Sequence, residues 1–596
     1  MSLRSTAIRL VALHALVSLA SAQQQIRSVF GPAGSQYGKA LIAIPDQNGD
    51  GFDDLLVGAP GWNNGRGAVY CVSGQYLYLG LGPLNLWALA PPVQPGDNFG
   101  AALALIGDVN QDGQRDFLIG QPGYDRTTPA ATDIGAARVV YSGTLALATL
   151  IEGSANGSRF GTSVAACGDL NLNGVEDVAI GEPGWNNAVG SVSVFDGSIL
   201  DQSGSVPSLD YAQVTGTITG GELGASIAGG VDLTGDGHPE LVVGSPGFDG
   251  PGAVDSGRVV VRDVVNALAW SHTSTVAGER MGAAVSVASD YNGDGVADLV
   301  VGAPGWSAGF VADGRVQVLS GARFVNPSSP TPLELRTLTL GFSSTLFDLR
   351  LGASVLACGD LNGDGVGEIL AGAPDYSVLS GFQVFNRGAV ALYSGATGTR
   401  MGLLVGSNTD RLGDALGAGL GDFDGDGFDD FLVAGSLSDV GGVDSGVLKT
   451  CRIFPAAPTS YCTGKTNSLG CVPAMSSTGA PSASSASPFL VSCSNVLNQI
   501  NGLLFYSHAP VATPFQGGTL CLKAPTRRTA TQNSGGNTGS SDCSGVFSLD
   551  FNVRIQSGVD PTLVAGAEVF GQYWSRDPAS PSTTSLSNAL RFLVSP

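Results

Sequence analysis

Histidine and compact catalytic motifs are rare in this sequence. Only 4 of the 596 residues are histidine, and neither an HExxH zinc-binding pair nor a phosphate-binding P-loop is present. These absences weigh against an enzyme that carries its chemistry in one short motif. They do not exclude an enzyme whose catalytic residues come from scattered loops, because some folds assemble their sites in that way. A binding module is therefore favoured over an enzyme, and we predict no catalytic residue.

Charged residues are also few, at 13%, and acidic ones dominate, with a formal net charge of −22. Because nucleic acid is itself negative, we expect no nucleic-acid partner. After residue 22 no apolar run reaches the roughly 18 residues that a membrane-spanning helix needs, so no transmembrane span is predicted. Glycine is abundant instead, at 88 residues, and mean hydropathy is +0.19. This mix is typical of many short strands joined by tight turns.

The first residues have the pattern of a secretory signal peptide. Arg4 and Arg9 precede an apolar stretch that runs from Leu10 to Leu19, and small residues at 20–22 provide a cleavage site after Ala22. An N-terminal membrane anchor is the alternative, but it requires a longer apolar span. We therefore expect residues 1–22 to be a signal peptide and the protein to be secreted, extracellular or cell-surface associated.

Cysteine is sparse for a chain of this length, with 9 residues, and the odd number leaves at least one thiol unpaired. Export permits disulfides. Three cysteines in apolar, strand-like segments are predicted to be buried thiols: Cys71, Cys167 and Cys358. Five more crowd into the last quarter of the chain: Cys462, Cys471, Cys493, Cys521 and Cys543. Proximity in sequence suggests the pairs Cys462 with Cys471 and Cys521 with Cys543.

A nine-residue acidic pattern, DFDGDGFDD at residues 422–430, occurs seven times in related form. Oxygen-bearing side chains occupy positions one, three, five and nine, and glycine occupies position six, as at the start of a calcium-binding EF-hand loop. An EF-hand also needs a bidentate glutamate at position twelve, where this copy has Val433. The EF-hand is therefore excluded. A solvated acidic surface is the other alternative, but it does not predict a fixed register.

The seven copies define a repeat of about sixty residues. Their first positions are separated by 62, 61, 63, 58, 70 and 62 residues. Each loop is followed by a short, continuously apolar strand, such as Leu55-Leu56-Val57, which indicates burial on both faces. Such repeats predict an all-β fold, a seven-bladed β-propeller with four strands per blade over residues 23–455. The N-terminal segment is expected to supply the outer strand of the last blade and so close the ring.

These features resemble FG-GAP repeat proteins, the family that includes the N-terminal propeller of integrin alpha subunits. Pairs such as Phe99-Gly100 stand nine residues before each loop, and "GAP"-like ends such as Gly58-Ala59-Pro60 follow it. In repeat seven the pair is ambiguous between Leu412-Gly413 and Leu416-Gly417. The resemblance implies up to seven Ca²⁺ ions, one per blade, in the loops between strands one and two.

The predicted ligands are the side chains at positions one, three, five and nine together with the backbone carbonyl at position seven, completed by water. Repeat by repeat, they are Asp46, Asn48, Asp50, Phe52 and Asp54; Asp108, Asn110, Asp112, Gln114 and Asp116; Asp169, Asn171, Asn173, Val175 and Asp177; Asp232, Thr234, Asp236, His238 and Glu240; Asp290, Asn292, Asp294, Val296 and Asp298; Asp360, Asn362, Asp364, Val366 and Glu368; and Asp422, Asp424, Asp426, Phe428 and Asp430.

Aromatic residues begin the connections between strands two and three, on the end of the fold opposite the acidic loops. They could form a platform for an extracellular protein or glycan partner. Packing of each aromatic against the neighbouring blade is the favoured alternative, because the position belongs to the repeat pattern. The six residues are Trp62, Tyr124, Trp185, Phe248, Trp306 and Tyr376.

The last part of the chain has a different composition. Residues 456–488 form a predicted Ser/Pro-rich boundary region, and residues 489–596 a smaller, cysteine-containing β-sandwich-like domain that resembles terminal domains of secreted bacterial repeat proteins. The whole is predicted to be a monomeric, calcium-binding adhesion or ligand-binding module. An extracellular hydrolase on a propeller scaffold and a structural cell-envelope component remain open as alternatives.

Overall fold

The structure is a computed structural model of the chain. It describes residues 23–596 apart from 80–83, 92, 128, 202–211, 288–289, 308–311, 327, 329–332, 342–347, 362–364, 381–382, 408, 418–429, 454–457, 480, 484–486, 565–566 and 595–596. The predicted signal peptide, residues 1–22, lies outside the described residues. The chain divides into two compact units, Gln23–Ile453 and the C-terminal residues from 454 onward.

The first unit contains seven four-stranded antiparallel sheets, which we number in chain order. In the order of strands one to four, they are Leu41–Ile44, Asp54–Ala59, Ala68–Val72 and Asn85–Leu89 (sheet 1); Ala102–Leu105, Phe117–Gln121, Ala136–Val140 and Leu147–Glu152 (sheet 2); Ser163–Gly168, Asp177–Glu182, Ser191–Phe195 and Ala212–Thr215 (sheet 3); Ser226–Val231, Glu240–Ser245, Arg258–Asp263 and Leu268–Thr273 (sheet 4); Ala284–Val287, Leu299–Ala303, Arg315–Leu319 and Glu334–Leu338 (sheet 5); Ser354–Ala357, Ile369–Ala373, Ala389–Tyr393 and Arg400–Val405 (sheet 6); and Ala415–Gly417, Phe431–Gly435, Val447–Ile453 and Gln23–Phe30 (sheet 7).

The sheets are arranged in a closed cycle. The first strands of consecutive sheets contact one another, and the first strand of sheet 7 contacts that of sheet 1. The N-terminal strand Gln23–Phe30 pairs antiparallel with Val447–Ile453, with Val29 opposite Leu448, and so takes the place of strand four in sheet 7. The prediction of an all-β propeller is confirmed, with seven four-stranded sheets in the described residues.

The second strands form the core because both of their faces are covered by neighbouring sheets. In sheet 1, Leu55, Leu56 and Val57 are fully buried. Leu55 and Val57 belong to a cluster shared with sheet 7, whereas Leu56 belongs to a cluster shared with sheet 2. The continuous apolar runs therefore reflect burial between two sheets, as the sequence predicted.

Glycine is required where adjacent sheets approach most closely. A Cβ on Gly58, in strand two of sheet 1, would lie 2.1 Å from the carbonyl oxygen of Gly100, in the Phe-Gly pair that precedes sheet 2. Phe99 of that pair forms a parallel bridge to Gly67, which precedes strand three of sheet 1. In sheet 7 the Gly413 N–H bonds to the Ala434 oxygen, so the pair of repeat seven is Leu412-Gly413. The repeated glycines thus join one sheet to the next.

A few short elements decorate the connections in this unit. They are the helical turns Trp62–Gly65, Gly74–Leu79, Trp185–Ala188 and Gly321–Val325, the 3₁₀ turn Gly197–Ile199, and the two-stranded ribbons Arg126–Thr127 with Ala130–Ala131 and Ser377–Ser380 with Gln383–Asn386. In the Trp-Asn-Asn turns, both asparagines have left-handed φ, for example 51° at Asn63 and 62° at Asn64, which asparagine tolerates better than most residues.

The C-terminal unit is a two-layered β structure. The larger sheet has the strand order Thr459–Tyr461, Thr584–Leu593, Glu568–Arg576, Asn501–Ser507 and Arg527–Arg528, and Gln532–Asn533 also pairs with Asn501–Ser507. The second sheet has the strand order Ala474–Thr478, Leu490–Val496 and Gly545–Asp550. A separate hairpin is formed by Pro510–Phe515 and Gly518–Leu522, and Phe551–Gln556 is a short helix. The Phe547 ring stacks on Tyr573 of the larger sheet at 5.3 Å between ring centroids. The two sheets therefore share one core, as in a β-sandwich.

Two predictions about this unit are wrong. Residues 456–488 are not a separate boundary region, because the strands Thr459–Tyr461 and Ala474–Thr478 lie in the two sheets. The disulfides join Cys462 to Cys521 and Cys471 to Cys543, not Cys462 to Cys471 and Cys521 to Cys543. Cysteines close in sequence are separated by the fold, whereas the bonded partners, 59 and 72 residues apart, are brought together by it.

The remaining cysteines of the described residues are buried thiols, namely Cys71, Cys167, Cys358, Cys451 and Cys493. This confirms the prediction for Cys71, Cys167 and Cys358. None of the helices in the described part of the chain is long and apolar enough to cross a membrane.

Candidate metal-binding loops

Each described acidic loop curls around its first carboxylate. In sheet 1, Oδ2 of Asp46 accepts a hydrogen bond from the N–H of Gly51 at 2.7 Å, and Oδ1 accepts from Asn48 and Gly49. Position six, here Gly51, has a φ of +87°, a conformation that favours glycine. The same bond from position six to position one, at 2.7 to 2.8 Å, is made in sheets 2 to 6. The first ligand is thus fixed by the backbone.

Positions three and five continue the same curl. In sheet 1 the Asn48 Oδ1 accepts from the N–H of Asp50 at 2.9 Å, and the Asp50 Oδ1 accepts from Phe52 at 3.0 Å. Sheets 2, 3 and 5 repeat both bonds, and in sheet 4 the bond from position seven to position five is present. These turns point oxygen atoms toward the inside of the loop, which is the arrangement that an oxygen-seeking cation requires.

Position nine is buried and binds two parts of the backbone. Asp116 is fully buried; its Oδ2 accepts from Val109 at 3.0 Å, and its Oδ1 accepts from Ser142, in the turn after strand three, at 3.0 Å. Asp54, Asp177 and Asp298 make the equivalent pair of bonds. This carboxylate therefore links the strand one–two turn to the strand three–four turn as well as facing the loop.

The pKa values of the ninth carboxylates reflect this burial. Burial is the main cause that raises the pKa of Asp177 to about 6, that of Glu240 to about 7 and that of Asp298 to about 6, and nearby carboxylates act in the same direction, although backbone N–H groups act in the opposite direction. The pKa values of Asp54 and Asp116 are raised in the same way. Negative charge at position nine is costly until a cation balances it.

The loop of sheet 4 brings three carboxylates close together. Oxygens of Asp232, Asp236 and Glu240 all lie within 4.8 Å of one another. Calcium binds oxygen at about 2.3 to 2.6 Å, so ligands on opposite sides of one ion stand about 5 Å apart. The residues present therefore fit a calcium ion. His238, at position seven, directs its ring Nδ1 to the Leu170 carbonyl at 2.9 Å, and its backbone carbonyl is the predicted ligand.

Some predicted ligands cannot be placed. Asn362 and Asp364 in repeat six and Asp422, Asp424, Asp426 and Phe428 in repeat seven lie outside the described residues. In those repeats the ninth residues, Glu368 and Asp430, are buried like the others. The remaining predicted ligands lie in the loops between strands one and two or, for Asp54, Asp177 and Glu240, at the first residue of strand two.

The six aromatics of the predicted ligand face are largely covered. Tyr376 is 8% exposed, and the other five are half-buried. The Arg258 guanidinium lies over the Phe248 ring at 4.7 Å, and Arg315 lies over Trp306 at 5.5 Å. Arginines at the start of strand three thus occupy one face of these two rings. Each arginine belongs to the same sheet as the ring it covers, so these two contacts do not test packing against the neighbouring sheet. Both the packing alternative and the ligand platform stay predictions.

Comparison with known proteins identifies the repeats. The model of the FG-GAP repeat matches residues 42–70, 160–195, 223–261, 281–319 and 351–393, which fall on sheets 1, 3, 4, 5 and 6. Sheets 2 and 7 have the same strand order. The fold and the five matched repeats support an FG-GAP β-propeller for the unit Gln23–Ile453, and this part of the prediction is confirmed.

Among curated proteins, the chain is similar to integrin alpha pat-2 of Caenorhabditis briggsae, with 33% identity over 219 residues, 34% of this chain and 17% of that protein. Phosphatidylinositol-glycan-specific phospholipase D of Bos taurus is 34% identical over 161 residues, 24% of this chain and 18% of that protein. The chain spans less than a fifth of the length of these relatives.

The solved structure of the Dos1 propeller aligns at 12% identity with a TM-score of 0.36, covering 67% of this chain and 74% of that one.

Proposed function

We propose that the protein is an extracellular, calcium-loaded FG-GAP propeller that acts as an adhesion or ligand-binding module. The observation that carries the proposal is a ring of repeats similar to integrin alpha, in which the same bond from position six to the first carboxylate recurs in the described loops of sheets 1 to 6. Calcium would neutralise the carboxylates of each loop and so hold strands one and two, while the opposite end of the propeller is left for ligands.

This chain's residues would hold the ion through positions one, three, five and nine and the carbonyl at position seven. The ion would supply charge balance in the hairpins and no chemistry. Its affinity need only be about 10⁻⁴ to 10⁻³ M, as in extracellular modules. The predicted signal peptide and the similarity to an integrin alpha subunit support the proposal that the protein is secreted.

The test is binding by the mature protein, residues 23–596, to arrays of glycans and extracellular proteins in calcium and in EDTA. We expect at least one calcium-dependent ligand. A matched pair of variants then locates the site: Trp62→Ala at a two–three connection and Asp112→Asn in an acidic loop. An array with no calcium-dependent binding would contradict the proposal.

A hydrolase is the second candidate, and the similarity to a phospholipase D favours testing it. A stretch that fits the nucleophile pattern GxSxG, Gly-Trp-Ser-Ala-Gly at 305–309, lies between strand Leu299–Ala303 and strand Arg315–Leu319. A nucleophile elbow places its serine between a strand and a helix, whereas the next regular element in the described residues here is the strand Arg315–Leu319. Turnover of phospholipid or glycan substrates by the purified protein, abolished by one loop substitution, would favour this candidate.

A further inference from the structure

A cavity of about 360 Å³ lies at the end of the propeller opposite the acidic loops. Its walls come from sheets 3, 4, 5 and 6, which contribute the residue before each Phe-Gly-like pair and the residue after it, and sheets 3, 4 and 5 also contribute the proline of their GAP-like ends. These positions stand where first strands begin. Because the first strands contact one another in a closed cycle, the cavity lies at the mouth of the central channel.

The residue before each pair decides the chemistry of the cavity. From sheet 3 to sheet 6 these residues are Arg159, Glu222, Arg280 and Arg350. Three guanidinium groups and one carboxylate therefore line the same cavity in a chain whose net charge is −22. A concentration of positive charge in a concave site attracts anions.

The backbone at this position does not favour arginine. The φ angles are 58° at Arg159 and 56° at Arg280 and Arg350, in the left-handed region that suits glycine or asparagine. Sheet 2 has Asn98 at the same place, with φ 58°. Local conformation therefore does not explain the three arginines that line the cavity. Sheet 7 also has arginine at this place, Arg411 with φ 50°, which pairs with Asp375 at 3.1 Å.

The three arginines differ in their partners. Arg280 pairs with Glu222 at 2.8 Å, and Arg350 pairs with Asp375 at 3.2 Å. Arg159 is exposed, and within the described residues its guanidinium has no hydrogen-bond or ion-pair partner. The Arg159 guanidinium is thus available for a ligand. The Arg280 guanidinium is held by Glu222, which a stronger anionic ligand could replace.

We propose that this cavity binds the carboxylate group of an acidic segment of a partner protein. Guanidinium groups recognise carboxylates through paired N–H donors. The volume is at the lower end of the roughly 300 to 1,000 Å³ typical of ligand sites, which suits one or two side chains. Glu222 in the lining and the negative chain as a whole repel a polyanion of high charge density, so a sulfated glycan is the less favoured occupant.

The inference rests on the proposed function, because it names the ligand class of the same propeller. The experiment uses the calcium-loaded mature protein and titration calorimetry. The probe is a capped four-residue peptide with one glutamate and one aspartate, compared with the same peptide carrying glutamine and asparagine and with a heparin fragment. We expect the acidic peptide alone to bind, and to bind more weakly as salt rises.

Two variants with opposite expected effects on peptide affinity test the cavity. Arg159→Asn keeps a residue that tolerates the left-handed backbone, as Asn98 does, and should weaken peptide binding about tenfold or more. Glu222→Gln frees Arg280 and should tighten binding a few-fold. Arg126→Gln, which removes an arginine paired with Glu152 outside the cavity, is the matched control and should leave binding unchanged. Melting temperatures check that each variant is folded.

Equal binding of the acidic and amide peptides, or folded Arg159→Asn protein with unchanged affinity, would overturn the proposal. Binding of heparin in preference to the peptide would assign the cavity to polyanionic glycans and also overturn it. If array ligands bind in calcium but the cavity variants leave both them and the peptide unaffected, only this inference fails. If no array ligand binds, the proposed function itself fails.

Discussion

The carboxylate of Asp116 accepts a hydrogen bond from the backbone N–H of Ser142 at 3.0 Å, and so connects two turns of sheet 2 that are 26 residues apart. Asp112, in the same loop, is exposed and bonds only to backbone and side chains within the loop. Two carboxylates predicted to bind one ion thus differ in their structural role.

Asp116→Asn should therefore destabilise the protein even without calcium. One buried N–H would face an amide NH₂ instead of an oxygen, at a cost of about 1–3 kcal/mol. Asp112→Asn should change the free energy of unfolding in EDTA by less than about 0.5 kcal/mol, because asparagine can still accept at the loop surface. Urea unfolding in EDTA distinguishes the two variants, and equal losses would contradict the structural role of position nine.

Gly58→Ala tests the approach of sheet 1 to sheet 2. The added Cβ would lie 2.1 Å from the Gly100 oxygen, and a backbone atom cannot move aside without shifting the sheet. We expect a loss of about 1–3 kcal/mol in the free energy of unfolding, the range for overpacked sites. Gly539→Ala is the control, because no atom lies within 4 Å of its added Cβ and no positive φ opposes the substitution. A Gly58→Ala protein as stable as the control would disprove the close approach.

The effect of calcium on the melting temperature should depend on pH. The raised pKa values of Asp177, Glu240 and Asp298, about 6, 7 and 6, mean that the ion-free folded state binds protons that the unfolded state has released. Their contribution to stability is present below about pH 4 and is lost as pH rises through 6 to 7. In EDTA, these groups should lower the melting temperature between pH 5 and pH 7.5.

Calcium should reverse this trend, because the ion needs the deprotonated carboxylates. The rise in melting temperature on adding calcium should therefore grow from pH 5 to pH 7.5. Differential scanning calorimetry with and without EDTA measures both slopes. Glu240→Gln removes one titrating group and should flatten the EDTA curve. A calcium effect of the same size at every pH would be inconsistent with ion binding at these carboxylates.

Loss of the Cys471–Cys543 disulfide should destabilise the C-terminal unit alone. The disulfide closes a long loop and so lowers the conformational entropy of the unfolded chain, which adds about 2–4 kcal/mol to the free energy of unfolding. The double variant Cys471→Ser with Cys543→Ser should become sensitive to limited proteolysis within residues 458–594, while fragments of the propeller stay intact. Counting free thiols under denaturing conditions before reduction provides the control. The five free cysteines of the mature chain are expected if Cys462–Cys521 stays intact. Seven free thiols would indicate that this second disulfide had been lost too.

Much of the fold could be predicted from the chain because the repeat encodes it locally. The apolar run Leu55-Leu56-Val57 and the turn signals around it specify a short strand buried on both faces, and seven copies specify the same sheet seven times. The position of each acidic loop between strands one and two follows from the same order. A periodic pattern predicts such features because each repeat packs against its neighbours in the same way.

Features that join distant positions could not be predicted in this way. Cys462 pairs with Cys521 because two strands of the C-terminal unit bring them together, whereas distance along the chain suggested Cys471. Burial of Asp116 depends on an N–H that is 26 residues away. The sequence shows a cysteine at position 462 and an aspartate at position 116, but it does not show which residue either of them bonds to.

The sequence by itself determined the repeat, the strands and the oxygen-bearing residues of each acidic loop, since each of these depends on residues within about sixty positions of one another. Tertiary structure alone decided which cysteines pair and that Arg159, Arg280 and Arg350 line one cavity. The physical reason is that these contacts join residues of different repeats or distant strands, and the pattern of one repeat does not record which side chains the closed ring brings together.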